Sequence, residues 1–275
     1  MDYTKMMATL AVAATATVAM ADVVSSSVVG YQNKGFENSG YNIAATTFVP
    51  VQGDKNAMTL GDLVPNEDFV SSSIMFLTPG GATPRVEFGG KQVAQRYVYW
   101  TEDDEPEQGA GWYLYADDDG EINQNSLPIP FGTGFLVNRS ATEADGNLVY
   151  SGAVSTDPTT VEFPVSGYNI TGNSSPVDLT LGDITPNEDF VSSSIMFLTP
   201  GGATPRVEFG GKQVAQRYVY WTEDDEPEQG AGWYLYADDD GEINQNALVI
   251  KAGEGFLVNR SSTEADGTIT IPAAL

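Results

Sequence analysis

The chain has 275 residues, 12 of them basic and 38 acidic, giving a net charge of −26, and it contains neither cysteine nor histidine. Ser–His and Cys–His nucleophilic centres and zinc sites built from His or Cys are therefore excluded, and any metal it holds must be a hard cation on oxygen ligands. The charge also disfavours nucleic acid and anionic lipid as partners.

Residues 1–21 read as a signal peptide. Lys5 gives a thin positive start, MMATLAVAATATVAM gives a short apolar run, and Ala19-Met20-Ala21 fits a cleavage site. The mature chain is then expected to begin at Asp22 and to be secreted or held at the cell surface, with no membrane insertion after cleavage. Without disulfides it must rely on the size of its core.

From Asp22 on, the pattern is β. Short runs rich in Val, Ile, Tyr, Phe and Thr (SSVVGYQ, SSSIMFL, PRVEF, QRYVYW, GWYLYA, EINQ, GFLVN, NLVYSGAV) alternate with Gly and Pro punctuation such as TPGGATP and DDDG. Only AMTLGDL and its counterpart DLTLGDI could be helical, for a single turn each. The stretch Pro65 to Asn125 recurs without change as Pro186 to Asn246. A repeat of this length is a whole domain in tandem copy, not a solenoid unit. GYNI at Gly40 and again at Gly167 opens each copy, and Ser155 to Ser166 connects them, either as a plain linker or with VEFPV as a strand of its own. The expected organisation is all-β, with two tandem antiparallel β-sandwich domains at 22–152 and 153–275.

A start of the SSVVGY kind, then GYN, an aromatic strand and G-x-GF-L-V, resembles a group of uncharacterised secreted bacterial β-sandwich repeat proteins. The resemblance implies export and a β fold and transfers no functional residues.

Two features carry candidate chemistry. In QRYVYW, alternation puts Tyr97 and Tyr99 on one face and Val98 and Trp100 on the other; in GWYLY, Trp112 and Leu114 share a face opposite Tyr113 and Tyr115. Paired as a hairpin through TEDDEPEQGAG, these strands are expected to show one Trp/Leu/Val face and one face of four tyrosines. The second copy supplies Tyr218, Tyr220, Trp221, Trp233, Tyr234 and Tyr236. Either the tyrosines merely cover the outside of the sheet, or they form a platform that stacks on sugar rings or on a neighbouring molecule. The second feature is acidic: Asp117, Asp119 and Glu121, and in the second copy Asp238, Asp240 and Glu242, lie in D-D-D-G-E turns. Tyr115 and Ser126 stand where an EF-hand needs its first and last ligands, so a plain solvated turn and a weak calcium site remain the two readings.

Nothing singles out a catalytic group. Carboxylates such as Glu87 or Glu107 form no recognisable pair, the SSSIMF serines have no neighbouring base, and GTG and GEG precede strands instead of helices. The expectation is therefore no enzyme and no cofactor beyond a possible Ca2+. A structural or adhesive protein of the cell surface or its surroundings is expected, partnered by itself, by other surface proteins or by glycans. Its sharper form is head-to-tail docking of like domains into a filament or layer, with SSSVVGYQ adding to a neighbour's sheet edge. The alternative is a carbohydrate-binding module on the aromatic hairpin.

Overall fold

The computed structural model describes residues 28–36, 39–51, 57–69, 72–88, 90–104, 108–115, 122–140, 146–190, 193–199, 201–209, 211–225, 230–236, 243–261 and 266–274. Residues 1–21, the expected signal peptide, lie outside them. The described residues are all-β, and their only helices are single 3-10 turns. No helix among them is long and apolar enough to cross a membrane.

The first half contributes β1 (Val29–Phe36), β2 (Gly40–Ala45), β3 (Met58–Thr59), β4 (Val64–Pro65), β5 (Ser73–Met75), β6 (Arg85–Phe88), β7 (Lys91–Ala94), β8 (Tyr97–Trp100), β9 (Gly111–Leu114), β10 (Pro128–Ile129), β11 (Gly134–Arg139) and β12 (Gly146–Ala153). The second half repeats them in order. Its strands are β13 (Thr159–Phe163), β14 (Gly167–Gly172), β15 (Leu179–Thr180), β16 (Thr185–Pro186), β17 (Ser194–Met196), β18 (Arg206–Phe209), β19 (Lys212–Ala215), β20 (Tyr218–Trp221), β21 (Gly232–Leu235), β22 (Val249–Ile250), β23 (Gly255–Arg260) and β24 (Gly267–Ile271).

Each half holds an antiparallel three-stranded sheet (β1-β12-β4 or β13-β24-β16) and an antiparallel five-stranded sheet (β2-β11-β5-β8-β9 or β14-β23-β17-β20-β21). Strand alternation explains why the two sheets of a half share one core. In GFLVNR, Phe135 and Val137 are buried while Leu136 and Asn138 turn away; in β12, Leu148 and Tyr150 are buried. These meet Phe36, Ile74, Tyr97 and Trp112 in one apolar cluster, and an equivalent cluster fills the second half. The expected single turns occur at Leu60–Asp62 and Leu181–Asp183. Each is pinned by a threonine whose N–H and hydroxyl both donate to one carboxylate, Thr59 to Asp62 at 2.8 and 2.9 Å and Thr180 to Asp183 at 2.7 Å each.

The long strand β11 ends in a buried cation. Arg139 is 4% exposed, and its Nη1 donates to the Asp68 carbonyl at 2.6 Å and to Ser72 Oγ at 3.0 Å. Arg260 does the same with Asp189 and Ser193 at 2.7 and 2.9 Å. Fixed acceptors at Nη1 offset part of the cost of burying each guanidinium.

One expectation needs correction here. EINQ does not form a regular strand among its described residues; Asn123 makes only an isolated bridge to Tyr113. From Val29 on, the SSSVVGYQ segment pairs with β12 of its own half, from Val29 opposite Ala153 to Phe36 opposite Gly146, and is the edge strand of that sheet.

The two halves close on one another by a reciprocal contact. The Thr78–Gly81 turn of the first half lies against Ser166–Tyr168 of the second, and Gly201 and Gly202 of the second lie against Ser39–Tyr41 of the first. These turns need glycine: Gly80, Gly81, Gly201 and Gly202 have φ of +91°, +90°, +93° and +92°, and backbone of the other domain lies where their side chains would be. Nearer the centre, a Cβ on Gly134 would sit 2.4 Å from Ile170 Cγ2, and one on the equivalent Gly255 would sit 2.2 Å from Ile43 Cγ2. Polar bonds seal the contact. The Ala45 amide donates to the Gly253 carbonyl at 3.1 Å, the buried Thr171 hydroxyl to the Gly132 carbonyl at 2.7 Å, and the Gln32 amide to the Ala252 carbonyl at 2.9 Å. Each side uses the same patch on the other, so the contact is two-fold in kind and closes. The face of each half that meets the other is thus occupied within the chain.

Candidate functional site

The aromatic hairpin forms as expected, with β8 antiparallel to β9, but in a different register. Tyr97 faces Leu114 and Tyr99 faces Trp112. Directly opposed residues share a face, so Tyr97, Tyr99, Trp112 and Leu114 line the core while Val98, Trp100, Tyr113 and Tyr115 lie outside. The four-tyrosine face is therefore overturned. Its expected pairing was one residue out of step, and such a slip exchanges the faces of one strand. A long acidic connection imposes no register; the buried Trp112 does, through its indole N–H donating to the Leu63 carbonyl at 2.9 Å.

Of the sequence candidates, Tyr97, Trp112 and Tyr113 are buried, as are Tyr218, Trp233 and Tyr234, and Tyr99 and Tyr220 pack edge-on against the core tryptophans. Burial holds the Tyr97 and Tyr218 phenols above their usual pKa, partly offset by donation from the Gln95 and Gln216 amides at 2.6 Å. Tyr113 is covered by Trp100, stacked at 5.1 Å and 23°, and its hydroxyl bonds the Gly109 carbonyl. Trp221 covers Tyr234 in the same way. Trp112, Tyr113, Trp233 and Tyr234 are fully shut off from solvent. Tyr115 and Tyr236 remain, 39% and 40% exposed.

Tyr115 belongs to a concave site that the hairpin alone does not show. Across the outer face of the five-stranded sheet, Tyr41 of β2 stands directly opposite Asn138 of β11, and Met75 of β5 lies beside them. Val93 and Ala94 of β7 form one wall. Arg96 and Tyr115 form the other, the guanidinium carbon lying 3.5 Å from the ring centroid, with the Tyr115 amide donating to the Arg96 carbonyl at 2.9 Å. The hollow is about 400 Å3. Tyr41 is 46% exposed at its edge. The second half carries the same residue types at Tyr168, Met196, Val214, Ala215, Arg217, Tyr236 and Asn259, with the Arg217–Tyr236 stack again at 3.5 Å. Exposed aromatic faces for stacking, a flat cation and a side-chain amide supply what a polyhydroxylated ring needs: apolar C–H contact together with directed donors and acceptors.

Sequence reasoning missed Tyr41, Met75, Arg96 and Asn138. The alternation of GFLVNR does place Asn138 on the face opposite Val137, but nothing in the sequence brings GYN beside it.

The calcium candidates Asp117, Asp119, Glu121, Asp238, Asp240 and Glu242 lie outside the described residues. Among the described residues no group of three or more acidic side chains is arranged to hold a metal. In the described part of the other acidic loop, the Asp104 carboxylate is engaged locally, accepting from the Thr101 amide and hydroxyl at 2.6 and 2.9 Å.

Comparison of the chain with family models, with curated protein sequences and with solved structures gives no match in any of the three.

Proposed function

We propose that the chain is an exported adhesive protein of the cell surface or extracellular space, and that it adheres by binding glycans in the two tyrosine–arginine hollows. The observation that carries this reading is the hollow itself: Tyr41 and the Arg96–Tyr115 stack around about 400 Å3, repeated in kind at Tyr168 and Arg217–Tyr236. A neutral sugar chain suits a molecule of charge −26, since a hydroxylated ring is not repelled by the surrounding carboxylates. Two copies in one closed chain give avidity towards a repeating polymer without a filament.

The reading is tested on a glycan array with the intact chain, followed by titration of the best glycan. Replacing Tyr41 and Tyr168 together by alanine is expected to weaken binding about two- to tenfold, as loss of one stacked ring of about 0.5–1.5 kcal/mol per site implies. Both rings are exposed, so the melting temperature should hold. An array with no glycan bound, or a double variant that binds unchanged, defeats the reading.

A further inference from the structure

The reciprocal contact leaves two clefts, one at each end, and they are equivalent in position but not in lining. The cleft built from the Lys251–Gly255 turn of the second half and β1 of the first is about 240 Å3 and contains Lys34, Lys251 and Glu254. The cleft built from the Pro128–Thr133 segment of the first half and β13 of the second is about 630 Å3. By the repeat, Lys34 corresponds to Val161, Lys251 to Pro130, Glu254 to Thr133 and Ala252 to Phe131. Three charges have gone and a ring has been added. One charge has been gained, because Glu162 stands where the other cleft has Gly35.

The small cleft shows what such a space accommodates. Lys34 lays an alkylammonium chain into it, sufficiently buried that desolvation lowers its pKa, with Glu254 opposing that shift. The large cleft has valine in that place and so lacks the internal amine. What it keeps is an apolar wall from Phe76, Phe131, Pro128 and Val161, and a single carboxylate among its lining residues, Glu162, on the exposed side of β13. No basic side chain is among its described lining residues. Its volume falls within the range of small-molecule sites.

We propose that this larger inter-domain cleft binds a small organic cation, an ammonium group carried on an apolar or aromatic body, with the body in the space that the alkyl chain of Lys34 fills in the other cleft. The body packs on Phe131 and its neighbours, and the ammonium pairs with Glu162 at the rim. The chain's net charge of −26 concentrates cations around this opening and repels carboxylates. The site is separate from the tyrosine–arginine hollows.

Three probes of one shape test it by calorimetric titration of the intact chain: 2-phenylethylamine, 2-phenylethanol and phenylacetate. The amine is expected to bind about tenfold more tightly than the alcohol, with phenylacetate weakest, as an ion pair at a partly exposed rim and a cation beside aromatic rings imply. Glu162→Gln, on an exposed side chain, should bring the amine to the alcohol's affinity and leave melting unchanged. Val161→Lys, which installs the arrangement of Lys34, should abolish binding of both, while Tyr41→Ala should leave amine binding intact. Failure of the wild type to bind the amine in the millimolar range overturns the proposal, as does amine binding that survives Val161→Lys or ignores Glu162→Gln.

Discussion

Replacing Trp112 by alanine is expected to destabilise the first domain by about 3–5 kcal/mol, whereas Trp100→Ala should cost only about 1 kcal/mol. Trp112 is fully buried, meets Phe69 and Tyr99 edge-on at 6.1 and 5.5 Å, and donates its indole N–H to the Leu63 carbonyl. Its removal leaves a cavity and strips a buried carbonyl of its donor. Trp100 is half-buried on the opposite face, stacked on Tyr113. Denaturant unfolding of the two variants separates them. Had the strands paired with both tryptophans on one face, the two losses would be alike. The same contrast is expected between Trp233 and Trp221.

The second large effect concerns the contact between the halves. Gly134→Val and Gly255→Val, made together, should open the interface. Each would drive new atoms into Ile170 and Thr171 or into Ile43 and Ala44, an overpacking cost of about 1–3 kcal/mol apiece. Gly134 and Gly255 pack across the interface, and the tryptophan-centred cores are built from other residues, so both domains should stay folded. Small-angle scattering should show a longer particle with unchanged strand content by circular dichroism. A particle of wild-type dimensions would show that these glycines do not hold the halves together.

The β class was readable because Gly and Pro punctuate short alternating runs, and because that alternation survives burial at Phe135, Val137, Leu148 and Tyr150. The single turns at LGD were readable as the only stretches, AMTLGDL and DLTLGDI, that depart from the β pattern. The hairpin register was not, since period-two alternation fixes which residues of one strand share a face but not how two strands align. The site shows the same limit. Tyr115 was found from its own strand, while Tyr41, Asn138 and Arg96 arrive from elements distant in sequence. TPGG read correctly as a turn, and only the folded chain reveals that the turn rests on the other domain. The identical stretch of the repeat builds that turn, the hairpin and both stacked Arg–Tyr pairs. The diverged flanks supply much of the difference between the two inter-domain clefts.

The closed pairing of the repeats is tested most directly by scanning calorimetry of the wild-type chain. Two halves interlocked through Gly134, Gly255 and the glycine turns should unfold as one unit, with a calorimetric enthalpy about equal to the van't Hoff enthalpy. A ratio near about 2 would mean two domains melting independently, and would contradict the reciprocal contact on which the account rests.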